Sequence, residues 1–310
     1  MTSGSALITG VNGFVGGHLL RHLKALGWRV YGFDQYVRNR EKNFIKGDIM
    51  NRKDFSNALK VSKPDVVFHL AGLIKAEQPE MLYQANLFGT VSLFEGVLDV
   101  GQRPLILIAG SSSVYGSSLE GKSINEKCRP HPVTSYAASK LAQEFAATRY
   151  FDAFQLPVMI VRMFNLLGPG QSPDLACSAF ARQIALAEMH GHNEIVTGDL
   201  TAKRDFVDVR DAVRAFIGLT EKGLAGETYN VCSGRAVTIG KCLDEMLAMA
   251  SRQFIVRKES SRIQLNDVSV QIGSARKLQK TTGWRPQYSL RQSLKDLLDD
   301  WRLRVQLGEE

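Results

Sequence analysis

Cysteine is scarce in this sequence, and what there is of it is scattered. Cys128, Cys177, Cys232 and Cys242 stand far apart with no Cys-x-x-Cys pair, so neither a disulfide framework nor a zinc site is indicated, and reduced, buried thiols are expected. His18 and His22 are spaced i,i+4 on a helical stretch with no third ligand near them in sequence, and no metal is expected. Long apolar runs are missing too: none approaches the roughly 18 residues of a membrane span. Residues 1–5 pass into the apolar run 6–9 without a basic region, a long apolar stretch or a cleavage site, so a soluble cytoplasmic protein is expected. No block of like charge stands out. The densest basic stretch, residues 38–46, is interrupted by Asn39, Glu41, Asn43, Phe44 and Ile45, which argues against nucleic acid as a partner.

What is present is material for a large core. The chain has 310 residues, 44% of them hydrophobic and 23% charged, which excludes disordered, collagen-like and coiled-coil classes. A net charge of +8 favours an anionic ligand. Short apolar runs at 6–9, 29–33, 43–45, 66–70, 105–109 and 158–162 alternate with helical patterns at 16–26, 52–61, 81–100 and 135–151. That alternation predicts an α/β fold, a doubly wound parallel sheet of the Rossmann type. After the Gly- and Pro-rich stretch 165–173, further helices (176–188, 209–220, 239–250, 290–305) and strands (194–197, 227–231) are expected. The division expected is a dinucleotide-binding domain of residues 1–164 and about 205–232, with a smaller α/β substrate lobe of about 165–204 and 233–310. No long linker separates them, so the lobes should pack directly.

Gly10-Val-Asn-Gly13-Phe-Val-Gly16 lies between the first strand and the first helix. Glycines at this spacing permit a tight turn, close approach to a pyrophosphate and close packing of helix on sheet. The helix N-terminus then faces the phosphates with free N–H groups. Gly10, Asn12, Gly13, Phe14, Val15 and Gly16 are therefore expected to hold a dinucleotide. Asp34, 18 residues after Gly16 at the end of the second strand, would bind the adenosine ribose hydroxyls and repel a 2′-phosphate, favouring NAD over NADP. Arg38 and Arg40 stand close enough to reach toward such a phosphate. Asp48, with Ile49, is placed to meet the adenine end.

Tyr136 and Lys140 are four residues apart on a helix, hence on one face. A neighbouring ammonium would lower the phenol's pKa toward working pH and make it an acid/base group. Ser111 ends the fifth strand, where its hydroxyl can meet the same substrate oxygen.

These residues resemble the extended short-chain dehydrogenases/reductases, the NAD-dependent epimerase/dehydratase family. The matching parts run in order through His69-Leu-Ala-Gly72, Asn86-Leu-Phe-Gly-Thr90, Ser111-Ser-Ser-Val-Tyr-Gly116, Tyr136-x-x-x-Lys140, Arg162-Met-Phe-Asn165, Gly168-Pro-Gly-Gln171 and Arg204-Asp-Phe-Val-Asp-Val209. The resemblance implies a catalytic set of Ser111, Tyr136 and Lys140, with Asn86 supporting the active-site helix. It adds Leu70, Ala71 and Gly72 to the cofactor site. It gives Ser112, Asn165 and Arg204 to the substrate, the last two at the diphosphate of a nucleotide sugar. Pro130-His-Pro132, Ala181-Arg-Gln-Ile184, Tyr229-Asn-Val-Cys-Ser-Gly234 and Thr282-Gly-Trp-Arg-Pro286 are similar in particular to reductases of GDP-4-keto-6-deoxy-D-mannose, which form GDP-D-rhamnose. Leu166 departs from the His usual there. Arg262-Ile263 is the nearest match to an Arg-Pro pair those enzymes carry.

Dehydratases of this family carry acidic residues directly after the catalytic Ser/Thr, and here Ser112 and Ser113 occupy those places. A hydroxyl has no pKa suited to that proton transfer, which leaves NAD(P)H-dependent C4 reduction or, as the alternative, a 4-epimerase with tightly bound NAD. A non-catalytic dinucleotide sensor would show a broken set, and this one is intact. The apolar face of Phe88, Leu93, Phe94 and Leu98 implies, by the same resemblance, a homodimer through a four-helix bundle with the Tyr136 helix.

Overall fold

The computed structural model describes residues 4–36, 43–118, 122–259 and 268–309; Arg38, Arg40 and the Arg262-Ile263 pair lie outside them. Strands β1 (Ser5–Thr9), β2 (Arg29–Asp34), β3 (Phe44–Lys46), β4 (Val66–His69), β5 (Leu105–Ser111) and β6 (Val158–Met163) alternate with helices α1 (Phe14–Ala25), α2 (Arg52–Ser62) and α5 (Ser135–Phe154). Every residue of β1 and β4 is buried, as a parallel sheet covered on both faces requires. The expected six strands acquire a seventh, β10 (Thr228–Val231), which pairs with β6. Sheet order is β10-β6-β5-β4-β1-β2-β3, all parallel. Chain order reverses between β1 and β4, and a ligand crevice opens beyond the strand ends at such a point.

The predicted helix 81–100 is three pieces: α3 (Pro79–Tyr83), a π-helical turn Gln84–Phe88, and α4 (Gly89–Val100). The wide turn carries Asn86, which is fully buried; such turns often accompany functional positions. Leu93 and Phe94 do not form the outer face expected of them. Both are wholly buried, and Phe94 stacks on Tyr150 at 4.6 Å within the chain, because α4 turns them toward α5. Phe88 (52% exposed) and Phe145 (67%) are among the large apolar groups left exposed, on the π-helical turn and on α5.

The second lobe is built on β7 (Asn165–Leu167), β9 (Lys203–Asp208) and β11 (Ala236–Thr238), with β8 (Glu194–Thr197) paired to β12 (Ile255–Lys258). Helices α6 (Ala176–His190), α8 (Ile239–Leu247) and α10 (Leu290–Gln306) close its core, where Trp301, Leu294, Cys177 and Cys242 are buried. The expected division is crossed twice. Residues 205–208 belong to the second-lobe sheet. Leu278 of α9 (Arg276–Thr282) and Trp284 pack into the core of the large sheet beside α7 (Val209–Lys222). All four cysteines are free, three of them buried and Cys128 half-buried. Among the described residues no helix is long and apolar enough to cross a membrane.

Candidate active site

A cleft of about 600 Å³ opens at the sheet's reversal, lined among others by Gly10, Asn12, Gly13, Asp34, Asp48, Ile49, Leu70, Ala71 and Gly72. Gly10 has φ +68°, and a Cβ there would meet the Ala71 backbone at 2.9 Å; one on Gly16 would meet the Gly10 carbonyl oxygen at 2.2 Å. The loop geometry therefore demands glycine at both places. Gly13 caps α1 with no side-chain hydrogen bond, and the first turn holds no acidic residue, so its N–H groups and positive dipole end stay available to a phosphate. These features fit a dinucleotide.

Phe14 and Val15 begin α1 beside this cleft rather than in its lining. The Asp34 carboxylate is held by the Asn12 amide, which donates to Oδ2 at 3.1 Å. Asp34 and the glycine loop are thus held together as one unit. Asp48 closes its own turn, accepting from the Met50 amide at 2.9 Å, so its carboxylate is already engaged.

Ser111 ends β5, paired in register with Met163 of β6. Thr134 caps α5 by accepting from the Ala137 amide at 3.1 Å, which sets Tyr136 in the first turn and Lys140 one turn on. The Ser111 hydroxyl lies on the Tyr136 side of the cleft and acts to lower the phenol's pKa. Lys140 is nearly inaccessible, and burial lowers its ammonium to about 8 against an opposing pull from the Glu144 carboxylate. The expected lowering of the Tyr136 pKa is not what the structure gives. Burial raises that phenol, and the Ser111 hydroxyl only partly pulls it back, because desolvation disfavours phenolate more than its neighbours stabilise it. The phenol is neutral at pH 7 and ready to give a proton.

A buried network supports the set. Asn86 accepts from the Leu73 amide (3.0 Å) and donates to the Leu73 carbonyl and the Ser139 hydroxyl (both 2.9 Å), tying the π-helical turn to α5. A Cβ on Gly72 would lie 2.4 Å from Asn86 Oδ1, which requires glycine there. Thr90 donates to the Asn86 carbonyl at 2.7 Å, so it accepts from Gln143 Nε2 (2.7 Å) and His69 Nε2 (3.0 Å). The His69 proton therefore sits on Nε2, and Nδ1 accepts from Thr9 at 2.8 Å. Burial, with the Lys140 charge adding to it, pushes this imidazole down to about 3 and keeps it neutral.

Ser112, expected at the substrate, is buried and gives its proton to Gln271 Oε1 at 2.8 Å. Ser113 is the neighbour that meets Ser111, at 2.8 Å between hydroxyl oxygens. Asn165 and Arg204 stand on adjacent strands β7 and β9. Next to Arg204 is Asp205, fully buried, accepting from the amides of Ser233, Gly234 and Gly273 and from the Ser233 hydroxyl. Burial raises this carboxyl against those hydrogen bonds. Neither Asp205 nor Gln271 was singled out from sequence, because their partners lie 28 to 159 residues away.

A glycine loop on a Rossmann sheet and a Ser, Tyr and Lys set at the end of β5 define an oxidoreductase of the short-chain dehydrogenase/reductase class. The chain belongs to the NAD dependent epimerase/dehydratase family, whose model matches residues 6–232. It is 32% identical over 306 residues to the GDP-6-deoxy-D-mannose reductase of Pseudomonas aeruginosa, covering 96% of this chain and 97% of that one. A structure of RMD from Pseudomonas aeruginosa complexed with NADPH has a TM-score of 0.86 at 32% identity, over 97% of this chain and 100% of that chain. The UDP-glucose 4-epimerase of Thermus thermophilus in complex with NAD has a TM-score of 0.85 at 26% identity, over 96% of this chain and 98% of that chain.

Proposed function

We propose that this protein reduces the C4 keto group of a nucleotide-linked 4-keto-6-deoxyhexose, GDP-4-keto-6-deoxy-D-mannose giving GDP-D-rhamnose, as a cytoplasmic homodimer. The observation that carries the reading is a phenol at Tyr136, raised by burial and so neutral, one helical turn from Lys140, with hydroxyls at Ser112 and Ser113 where dehydration needs carboxylates. The likeness to a GDP-6-deoxy-D-mannose reductase supports it. A bound reduced nicotinamide supplies hydride to C4. Ser111 donates to the carbonyl oxygen and polarises it, Tyr136 transfers its phenolic proton to that oxygen as negative charge develops, and the Lys140 ammonium stabilises the phenolate left behind. Asn165 and Arg204 hold the diphosphate. Asp34 at the end of β2 supports NAD over NADP, since a carboxylate there would repel a 2′-phosphate.

Incubation with GDP-4-keto-6-deoxymannose and NADH or NADPH should oxidise cofactor stoichiometrically, and Tyr136→Phe should abolish this. Retention of tightly bound NAD through purification, with no net consumption, would make the protein a 4-epimerase instead. The dimer reading is supported by the exposed Phe88 on the π-helical turn and Phe145 on α5, the elements a four-helix bundle would use. Sedimentation should show the wild type as a dimer and Phe145→Glu as a monomer; a monomeric wild type removes the proposal.

A further inference from the structure

We infer that Ser113 is a positioning residue that fixes the direction of the Ser111 hydroxyl proton, an inference resting on the reading of Ser111 as the polarising hydroxyl of a carbonyl reduction. A serine hydroxyl has one proton and two lone pairs. Ser111 Oγ caps the 3₁₀ turn Ser112–Tyr115, accepting the Ser113 amide at 3.2 Å. The two hydroxyl oxygens are 2.8 Å apart, and one of them must donate. In the proposed reduction the Ser111 proton goes to the reacting oxygen, and the lowering effect of Ser111 on the Tyr136 phenol has the same sense. The Ser111 lone pairs then take the amide and the hydroxyl of Ser113. The resulting chain runs from Ser113 Oγ–H to Ser111 Oγ–H to the Tyr136 oxygen, or to a substrate carbonyl in its place.

Ser112 cannot substitute. Its proton goes to Gln271, whose amide nitrogen also donates to the Ser112 and Gly116 carbonyls at 2.9 and 3.0 Å. That clamp holds the turn in shape whatever stands at 113. An alanine at 113 keeps the backbone cap and removes only the second donor, so the Ser111 proton can rotate away from the reacting oxygen.

Two readouts test this. In steady-state reduction, Ser113→Ala should lower kcat about three- to tenfold, the worth of one hydrogen bond, with little change in KM. Ser113→Thr should restore it, and Ser113→Cys, a weak donor of similar volume, should not. Independently of any substrate, phenolate absorbance is titrated in wild type and in Ser113→Ala, each as a difference from the same background carrying Tyr136→Phe. The Tyr136 transition should move to higher pH in Ser113→Ala and return with threonine. An unmoved transition, or a wild-type kcat in Ser113→Ala, overturns the inference. If the transition moves while no 4-keto sugar nucleotide is reduced by the wild type, the proposed reaction fails and the orientation of Ser111 stands.

Discussion

Lys140 is held by burial at an ammonium pKa of about 8 rather than in the usual lysine range. In the proposed reaction its charged form would stabilise phenolate on Tyr136, and that form is present below this pKa and lost above it. The kcat/KM for reduction should therefore be flat near neutrality and fall as pH rises through about 8, the pKa of the free enzyme's essential group. A profile still rising beyond that point would show that phenolate, not the ammonium, limits the reaction, as an oxidation would require. At this scale the sequence was informative where chemistry is local. Three glycines spaced by three and a Tyr-x-x-x-Lys helix are visible in any short window. The sign of the Tyr136 shift was not, because it depends on how much water the fold removes from the phenol. The role of Ser112 was hidden likewise: its partner Gln271 is 159 residues away.

On α5, Tyr136, Lys140 and Glu144 follow one another at i,i+4, a single stripe whose lower end is electrostatic support. Glu144 accepts three hydrogen bonds from Arg162 of β6, the shortest 2.6 Å, and the Arg162 Nη1 donates to Tyr115 at 2.7 Å. Both charges are less than a tenth exposed. A Cβ on Gly110 would lie 3.1 Å from the Glu144 carboxylate, so the pair sits directly beneath the end of β5. Glu144→Gln removes the carboxylate that supports the Lys140 charge and leaves Arg162 repelling it. The alkaline limb of the pH profile should move to lower pH in that variant. Breaking a buried pair in this way should also reduce stability by about 3–5 kcal/mol, measured by urea unfolding. A limb that stays put while stability falls would confine the pair to the fold. The Arg162-Met-Phe-Asn165 stretch is legible as sequence, yet its partner is set by how α5 lies on β6, which no spacing within either element reveals.

The two lobes meet through specific polar groups. His18 of α1 donates to the Pro169 carbonyl at 2.8 Å and the Ser112 hydroxyl donates to Gln271 at 2.8 Å; within the second lobe the Gly170 amide donates to Asp300 of α10 at 2.8 Å, and Asp205 ties its own strand to two other segments through one carboxylate. Six of the seven strands of the large sheet were readable from the alternation of apolar runs and helices. The boundary between lobes was not, since α9 and Trp284 return to the first lobe late in the chain, Trp284 by donating to the Asp211 carbonyl at 2.9 Å. Arg204 lies on β9 beside the Asp205 hub, half-buried, one strand from Asn165. Asp208, at the end of the same strand, is bound by the Arg210 guanidinium, which also pairs with Asp296 at 2.7 Å. At that lobe boundary the Arg204 fork suits a diphosphate, whose charge-assisted hydrogen bonds contribute about 1.5–3 kcal/mol. Arg204→Ala should therefore weaken GDP binding roughly ten- to a hundredfold in isothermal titration while leaving NAD affinity and the melting temperature in place, because the cofactor loop and the Asp205 carboxylate do not depend on it. Unchanged GDP affinity with a lowered melting temperature would make Arg204 a strut of the β9 and β11 pair, and the diphosphate would then have to be held from elsewhere in the second lobe.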